Sequence, residues 1–223
     1  MGRHIPIVQE TPHEVPDLSL SKAPGRELSY FGYRFEVPWN DVDEARTSAR
    51  NETAIIFFQS GLTVIFKIVP PHALVDAVLS AGKINRDRFR QVYGDDALKS
   101  DYLLTRLMLQ SVPGKITPFT PRNKVITDFV LLLLKGMSTP TDSGIYSVRT
   151  KRFNGFQYGN PLRRAKKYVT VDLFTNDCGL EFLFLQAAKP DQKSSATISQ
   201  SDINRVIQTL QRVPQDNLAY QQK

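Results

Sequence analysis

Two periodicities divide the chain. Apolar and polar positions alternate from Glu27 to Val37, and runs dense in β-branched and aromatic residues follow at 53–59 (TAIIFFQ) and 62–69 (LTVIFKIV). Both patterns predict strands. Phe31-Gly32 is the expected turn of a first hairpin that ends at Pro38-Trp39, and Ser60-Gly61 the expected two-residue turn of a second. The second pair is apolar on both faces, which predicts a sheet covered on two sides. The polar stretch 41–50 reads as a short exposed helix.

From Pro70-Pro71 the helical period takes over. Leu74, Val75, Val78 and Leu79 share one helix face, and 86–93 predicts a second helix. Ser100 is placed to cap a third, with Leu103, Leu104, Leu107 and Met108 as its buried stripe. Thr120-Pro121 reads as the cap and first-turn proline of a fourth, which buries Val125, Ile126, Phe129, Val130 and Leu133 and stops at Gly136. Strands then return. Residues 143–152 are expected to pair back through Asn154-Gly155, and 168–174 with 180–185 to form a hairpin around Asn176–Gly179. A polar linker spans 188–198. Ile203, Val206, Ile207 and Leu210 follow at helical spacing. Burying those four stabilises the fold by roughly 6–12 kcal/mol before entropy is subtracted, so that helix must lie on the sheet.

Hairpins, a helical block, hairpins again and a last helix predict an α+β fold. Its expected form is one domain over 27–213, an antiparallel sheet built from hairpins and covered by helices, α/β/α sandwich-like, with a helical insertion around 71–136. Pro6, Pro12, Pro16 and Pro24 make residues 1–26 an extended or mobile arm, and 214–223 reads as a frayed tail.

The segment Tyr30–Trp39 (YFGYRFEVPW) resembles the strand–Pro–Trp opening of the MOG1/PsbP-like superfamily. The closing hairpin 168–185, polar linker and amphipathic helix 203–210 are similar too. The central helical block is longer than that superfamily's usual connection. The resemblance implies an α/β/α sandwich that serves mostly as a non-catalytic binding module. It carries over no site residues, because the superfamily shares no catalytic motif.

Composition adds exclusions. With 223 residues, 41% hydrophobic and 23% charged, the chain is neither fibrous nor disordered. Its single cysteine, Cys178, rules out an intrachain disulfide and a multi-cysteine zinc site. The longest dense apolar run, 129–134, falls far short of the ~20 residues that span a bilayer. The N-terminus has no apolar signal-type core, so the cytoplasm is the expected compartment, or an exported one if a leader precedes this sequence.

The net charge of +7 is local. Arg149, Lys151, Arg152, Arg163, Arg164, Lys166 and Lys167 fall within 19 residues that hold no acid, and the remaining 22 basic residues match the 22 acids. With Phe156 and Tyr158 interleaved, this stretch is a candidate surface for an acidic protein or anionic ligand, or for single-stranded nucleic acid. The plainer reading is an edge strand guarded by cations, its rings turned into the core.

Candidate chemistry is sparse. His4, His13 and His72 lack ligand spacing, and Asp177 beside Cys178 disfavours a thiolate. Phosphate-binding glycine motifs and nucleophile elbows are missing, and no cofactor or metal is called for. Asp41, Asp43 and Glu44 cluster after Trp39; they suit a helix start, or else general acid–base work. The expectation is a binding domain rather than an enzyme, with an enzyme of dispersed site (Asp41, Asp43 or His72) as the remaining alternative.

Overall fold

The computed structural model describes residues 11–112, 117–138, 144–161, 168–175, 177–186 and 197–213. Eleven strands and six helices are found among them. The strands are β1 (His13–Glu14), β2 (Arg26–Tyr30), β3 (Tyr33–Val37), β4 (Ser48–Arg50), β5 (Thr53–Phe57), β6 (Leu62–Val69), β7 (Ile145–Arg149), β8 (Asn154–Tyr158), β9 (Tyr168–Phe174), β10 (Gly179–Gln186) and β11 (Gln211–Arg212). The helices are α1 (Ala73–Gly82), α2 (Arg86–Tyr93), α3 (Asp96–Lys99), α4 (Asp101–Gln110), α5 (Arg122–Ser138) and α6 (Gln200–Thr209).

Eight strands form one sheet in the order β1-β7-β8-β9-β10-β6-β5-β4. Every pairing in it is antiparallel except the short β1–β7 contact at one edge. A second sheet, β11-β3-β2, lies with α6 over one face of the first. Helices α1 to α5 lie over the other face at its β7–β8 end. The chain is therefore α+β, with an antiparallel sheet between layers, as the hairpin order predicts.

The first layer is held by a dry aromatic core. Phe35 of β3 meets Phe66 of β6 and Phe182 of β10 at 5.4 and 5.2 Å between ring centres, and all three are fully buried. Edge-on and offset ring pairs add to the burial energy of each side chain. Ile203, Val206, Ile207 and Leu210 are all buried in the same cluster, as their spacing requires. The helix that carries them starts at a capping box: Ser199 Oγ accepts from the Asp202 amide, and the Asp202 carboxylate accepts from the Ser199 amide.

Buried polar groups fix the orientation of α6. Gln157 of β8 and Gln200 exchange reciprocal amide hydrogen bonds at 2.8 and 2.9 Å. Gln200 also donates to Asn204, whose amide donates to the carbonyls of Asp17 and Ser19 at 2.6 and 2.9 Å. Arg205 donates to the Ser21 carbonyl at 3.1 Å and pairs with Glu36 at 2.9 Å. Residues 17–23 are thus tied down along α6.

Several expected boundaries differ. Residues 41–50 form no helix. They make turns and the edge strand β4, joined to β5 by Asn51 and Glu52, both at positive φ as a two-residue hairpin turn requires. The β5–β6 turn has three residues, closed by the Phe58 amide on the Leu62 carbonyl, with Gly61 at φ 88°. Helix α5 is rotated from its expected face. Thr127, Val130, Leu131 and Lys135 are buried, while Phe129 is 61% exposed. An unbroken run of four leucines carries no phase, so the buried side was set by tertiary packing. The second face of β5 and β6 is not fully covered: Ile55, Ile65, Leu183 and Leu185 on that side stay partly exposed.

Asn154-Gly155 is not the turn of the β7–β8 hairpin. The turn is 150–153, closed by the Thr150 amide on the Phe153 carbonyl, and Gly155 lies inside β8. A Cβ at Gly155 would stand 2.0 Å from the Asp172 carbonyl oxygen of the neighbouring strand. The residue is glycine because two backbones approach there. Gly155→Ala should destabilise the protein by about 1–3 kcal/mol in urea unfolding, because the new methyl meets backbone that cannot swing aside. A loss below about 0.3 kcal/mol would show that the strands are not so closely apposed.

Candidate functional site

The basic stretch divides on inspection. Arg149 ends β7, and Lys151 and Arg152 form the turn beyond it, all three exposed. Lys151 and Arg152 line a polar cleft of about 440 Å³ together with Arg34, Glu27 and Glu36. Arg152 donates to Gln211 at 3.2 Å. Phe156 and Tyr158 are 1% and 3% exposed and belong to the helical core, with Phe156 stacked on Tyr102 at 5.2 Å. Those two rings are therefore no part of a surface for stacking bases. Arg163, Arg164, Lys166 and Lys167 lie outside the described residues.

The other singled-out residues have structural partners. The Asp41 carboxylate accepts from the Ser60 amide at 2.7 Å, Asp43 accepts from the Arg46 amide at 3.3 Å, and Glu44 pairs with Arg26. These acids hold the turns around β4 and β5. Trp39 is buried edge-on against Phe58. Cys178 contacts the Tyr33 hydroxyl at 3.2 Å. His13 lies in β1 beside Tyr146, and His4 is outside the described residues.

What the sequence reading missed is a cavity between sheet and helices. It holds about 160 Å³ and is walled by β9 and β10 on one side and by α1 and α4 on the other. Val69, Leu74, Met108 and Phe174 give it an apolar lining, while the side chains of Leu173 and Leu180, which also border it, belong to the core under α6. Into this lining come Asp172 of β9, Glu181 of β10, Asp101 and Thr105 of α4, and Tyr158 of β8. His72, at φ 62° just before α1, lines a smaller adjoining hollow with Lys99, Asp101 and Cys178.

Strand register explains how the acids meet. Asp172 lies directly opposite Glu181 across β9–β10, with Phe156 as its other neighbour. Glu181 in turn lies opposite Lys67 of β6, which is exposed. Two like charges facing each other across antiparallel strands repel, and only Glu181 has a cation on its far side. Burial, and secondly the charge of Glu181, push the Asp172 carboxyl from 3.8 up to about 7. Burial, and secondly Asp172, raise the Tyr158 phenol well above its ordinary range, so it stays protonated.

Tyr158 lines the same cavity. It is 97% buried by its 3% exposure, and its hydroxyl makes no hydrogen bond among the described residues. Buried polar groups are nearly always paired. Asp172 likewise has no hydrogen-bond or ion-pair partner among them. A carboxyl poised near neutrality can carry a proton in either direction, and it can equally take up a positive charge. Among the described residues no three acids, histidines or cysteines stand close enough to hold a metal ion. No helix there is long and apolar enough to cross a membrane.

Comparison of the chain with protein-family models, with curated proteins and with solved structures finds no match.

The raised Asp172 pKa makes stability depend on pH. Between about 4 and 7 the folded protein holds a proton that the unfolded chain has lost, so stability falls as pH rises through that range and levels off above it. Asp172→Asn removes the fall. Relative to wild type, the variant should gain on the order of 1–3 kcal/mol more at pH 8 than at pH 5, the range allowing for solvent in the cavity. Urea unfolding at both pH values measures this; an equal difference at the two would mean that Asp172 ionises freely.

Proposed function

We propose that this protein is a non-catalytic binding domain whose ligand lodges between the β9–β10 hairpin and helices α1 and α4. The carrying observation is Tyr158, a side chain only 3% exposed that lines a chamber of about 160 Å³ and whose hydroxyl has no hydrogen-bond partner among the described residues. A chamber of roughly 150 Å³ accepts a benzene-sized group. Its mix of apolar wall and a few convergent polar groups is the usual make-up of a small-molecule site. The MOG1/PsbP-like resemblance of the opening and closing segments leans toward a binding module as well.

A fragment screen by methyl NMR tests this reading. Compounds of six to ten heavy atoms should shift the Met108 methyl resonance at millimolar concentration, and Leu74→Phe, which plugs the chamber, should abolish the shifts. Shifts that survive the plug, or none at Met108, would reject the site.

A second reading rests on the exposed turn at 149–152. There Lys151 and Arg152 line the polar cleft with Arg34, and exposed Arg149 ends the strand before them, a place for an acidic protein or another polyanion. If the polyanion is single-stranded nucleic acid, three phosphate contacts predict a log–log salt slope of about −2, and replacing the three residues with Ser should abolish binding with folding intact. Equal binding by the triple variant would assign the affinity to another surface.

A further inference from the structure

The acidic chamber shows what class of ligand it would take. Asp172 and Glu181 face each other across the central strands, and Asp101 reaches the same space from α4. Asp101 Oδ1 accepts from the Val75 amide at 3.2 Å. Neither Asp172 nor Glu181 has an ion-pair partner within the described residues. The charged and titratable groups around Asp172 are Glu181 on β10, Tyr158 on β8 and Asp101 on α4. Lys67 lies beyond Glu181, and His72 and Lys99 lie in the adjoining hollow. Among the described residues no cation lines the chamber itself. A chain that opposes two carboxylates in a half-enclosed space gives up stability there. The same arrangement becomes favourable when a positive charge enters.

The size and lining narrow that charge further. Among the described residues the acids are not grouped as metal ligands, and Val69, Leu74, Met108 and Phe174 make an apolar part of the wall. A bare metal ion would leave the apolar wall facing water, whereas an ammonium on a ring or branched chain fills both parts. The Tyr158 hydroxyl oxygen can accept one ammonium hydrogen, and the Phe174 side chain lines the same chamber.

Building on the binding reading above, we propose that the chamber is a site for a small organic ammonium ion. The charge sits against Asp172, Glu181 and the Tyr158 hydroxyl, and the hydrocarbon part lies against Leu74, Met108 and Phe174. The same chemistry is offered by a free amine and by a lysine side chain of a partner.

The test uses the full chain at pH 8, following the Met108 methyl and the Tyr158 ring by NMR. The probes are benzylammonium, benzyl alcohol, benzoate and N-acetyl-lysine N-methylamide. Benzylammonium should bind at least about tenfold more tightly than benzyl alcohol, and benzoate should not bind, a gap of ~1.4 kcal/mol or more. Its affinity should rise about tenfold from pH 6 to pH 8 as Asp172 ionises. Asp172→Asn should remove the preference over the alcohol, and Glu181→Gln, at a partly exposed position, should reduce it in a second background. Tighter binding by the lysine amide than by benzylammonium assigns the site to a protein side chain, and the reverse order assigns it to a free amine. Equal binding of alcohol and ammonium would overturn the cation preference while leaving a binding chamber in place. No binding by any probe would overturn both.

Discussion

The β9–β10 pair has to satisfy two environments at once, and its register is the constraint on which the rest depends. On one face Val171, Leu173, Phe182 and Phe184 are fully buried under β3 and α6. On the other, Asp172 and Glu181 enter the chamber beneath α1 and α4. Side chains alternate along a strand, so a slip of one residue would drive both carboxylates into the aromatic core around Phe35 and Phe66. The cost of burying two unpaired charges there makes the alternative register inaccessible. The same pairing that builds the core also aims the acids.

The two layers then differ in kind. In the α6 layer the apolar stripe is buried, and Gln157, Gln200 and Asn204 are hydrogen-bonded to one another and out to the backbone of residues 17–19. A fully paired network of this sort specifies one packing and leaves little to gain from a ligand. The opposite layer is open. Tyr158 and Asp172 lack hydrogen-bond partners among the described residues, and His72 Nδ1 is buried without one there. Tyr158, Asp172 and His72 all border the chamber or the hollow beside it, and that is the ground for proposing that this face takes a ligand.

Most of the architecture was legible because it rests on short-range rules. The turn at Phe31-Gly32, the stripe of α6 and the β9–β10 hairpin follow from φ preferences and periodicity. Misreadings came where a local signal had a second use. Asn154-Gly155 matches a turn dipeptide, yet its glycine answers the approach of Asp172 from another strand. Leu131–Leu134 looks apolar from every side, so nothing local could show that Lys135 turns inward to the Ser111 carbonyl at 3.0 Å while Phe129 turns outward. The polarity of 41–50 suggested a helix, but Asn51-Glu52 reverses the chain and makes it an edge strand.

The chamber was hidden for a different reason. Its acids are scattered along the chain, and each, taken alone, fits an ordinary half-exposed strand or helix position. One signal was nevertheless present. A hairpin closed between Thr175 and Cys178 sets Phe174 opposite Gly179, and stepping back two residues on each strand sets Asp172 opposite Glu181. Like charges in direct register are unfavourable, and a folded chain that keeps such a pair at the centre of its largest sheet holds a local conflict between stability and some other demand. A search for functional acids in antiparallel proteins can therefore start from hairpin register: fold the turn, read off the facing residues, and ask which pairs repel without a cation beside both.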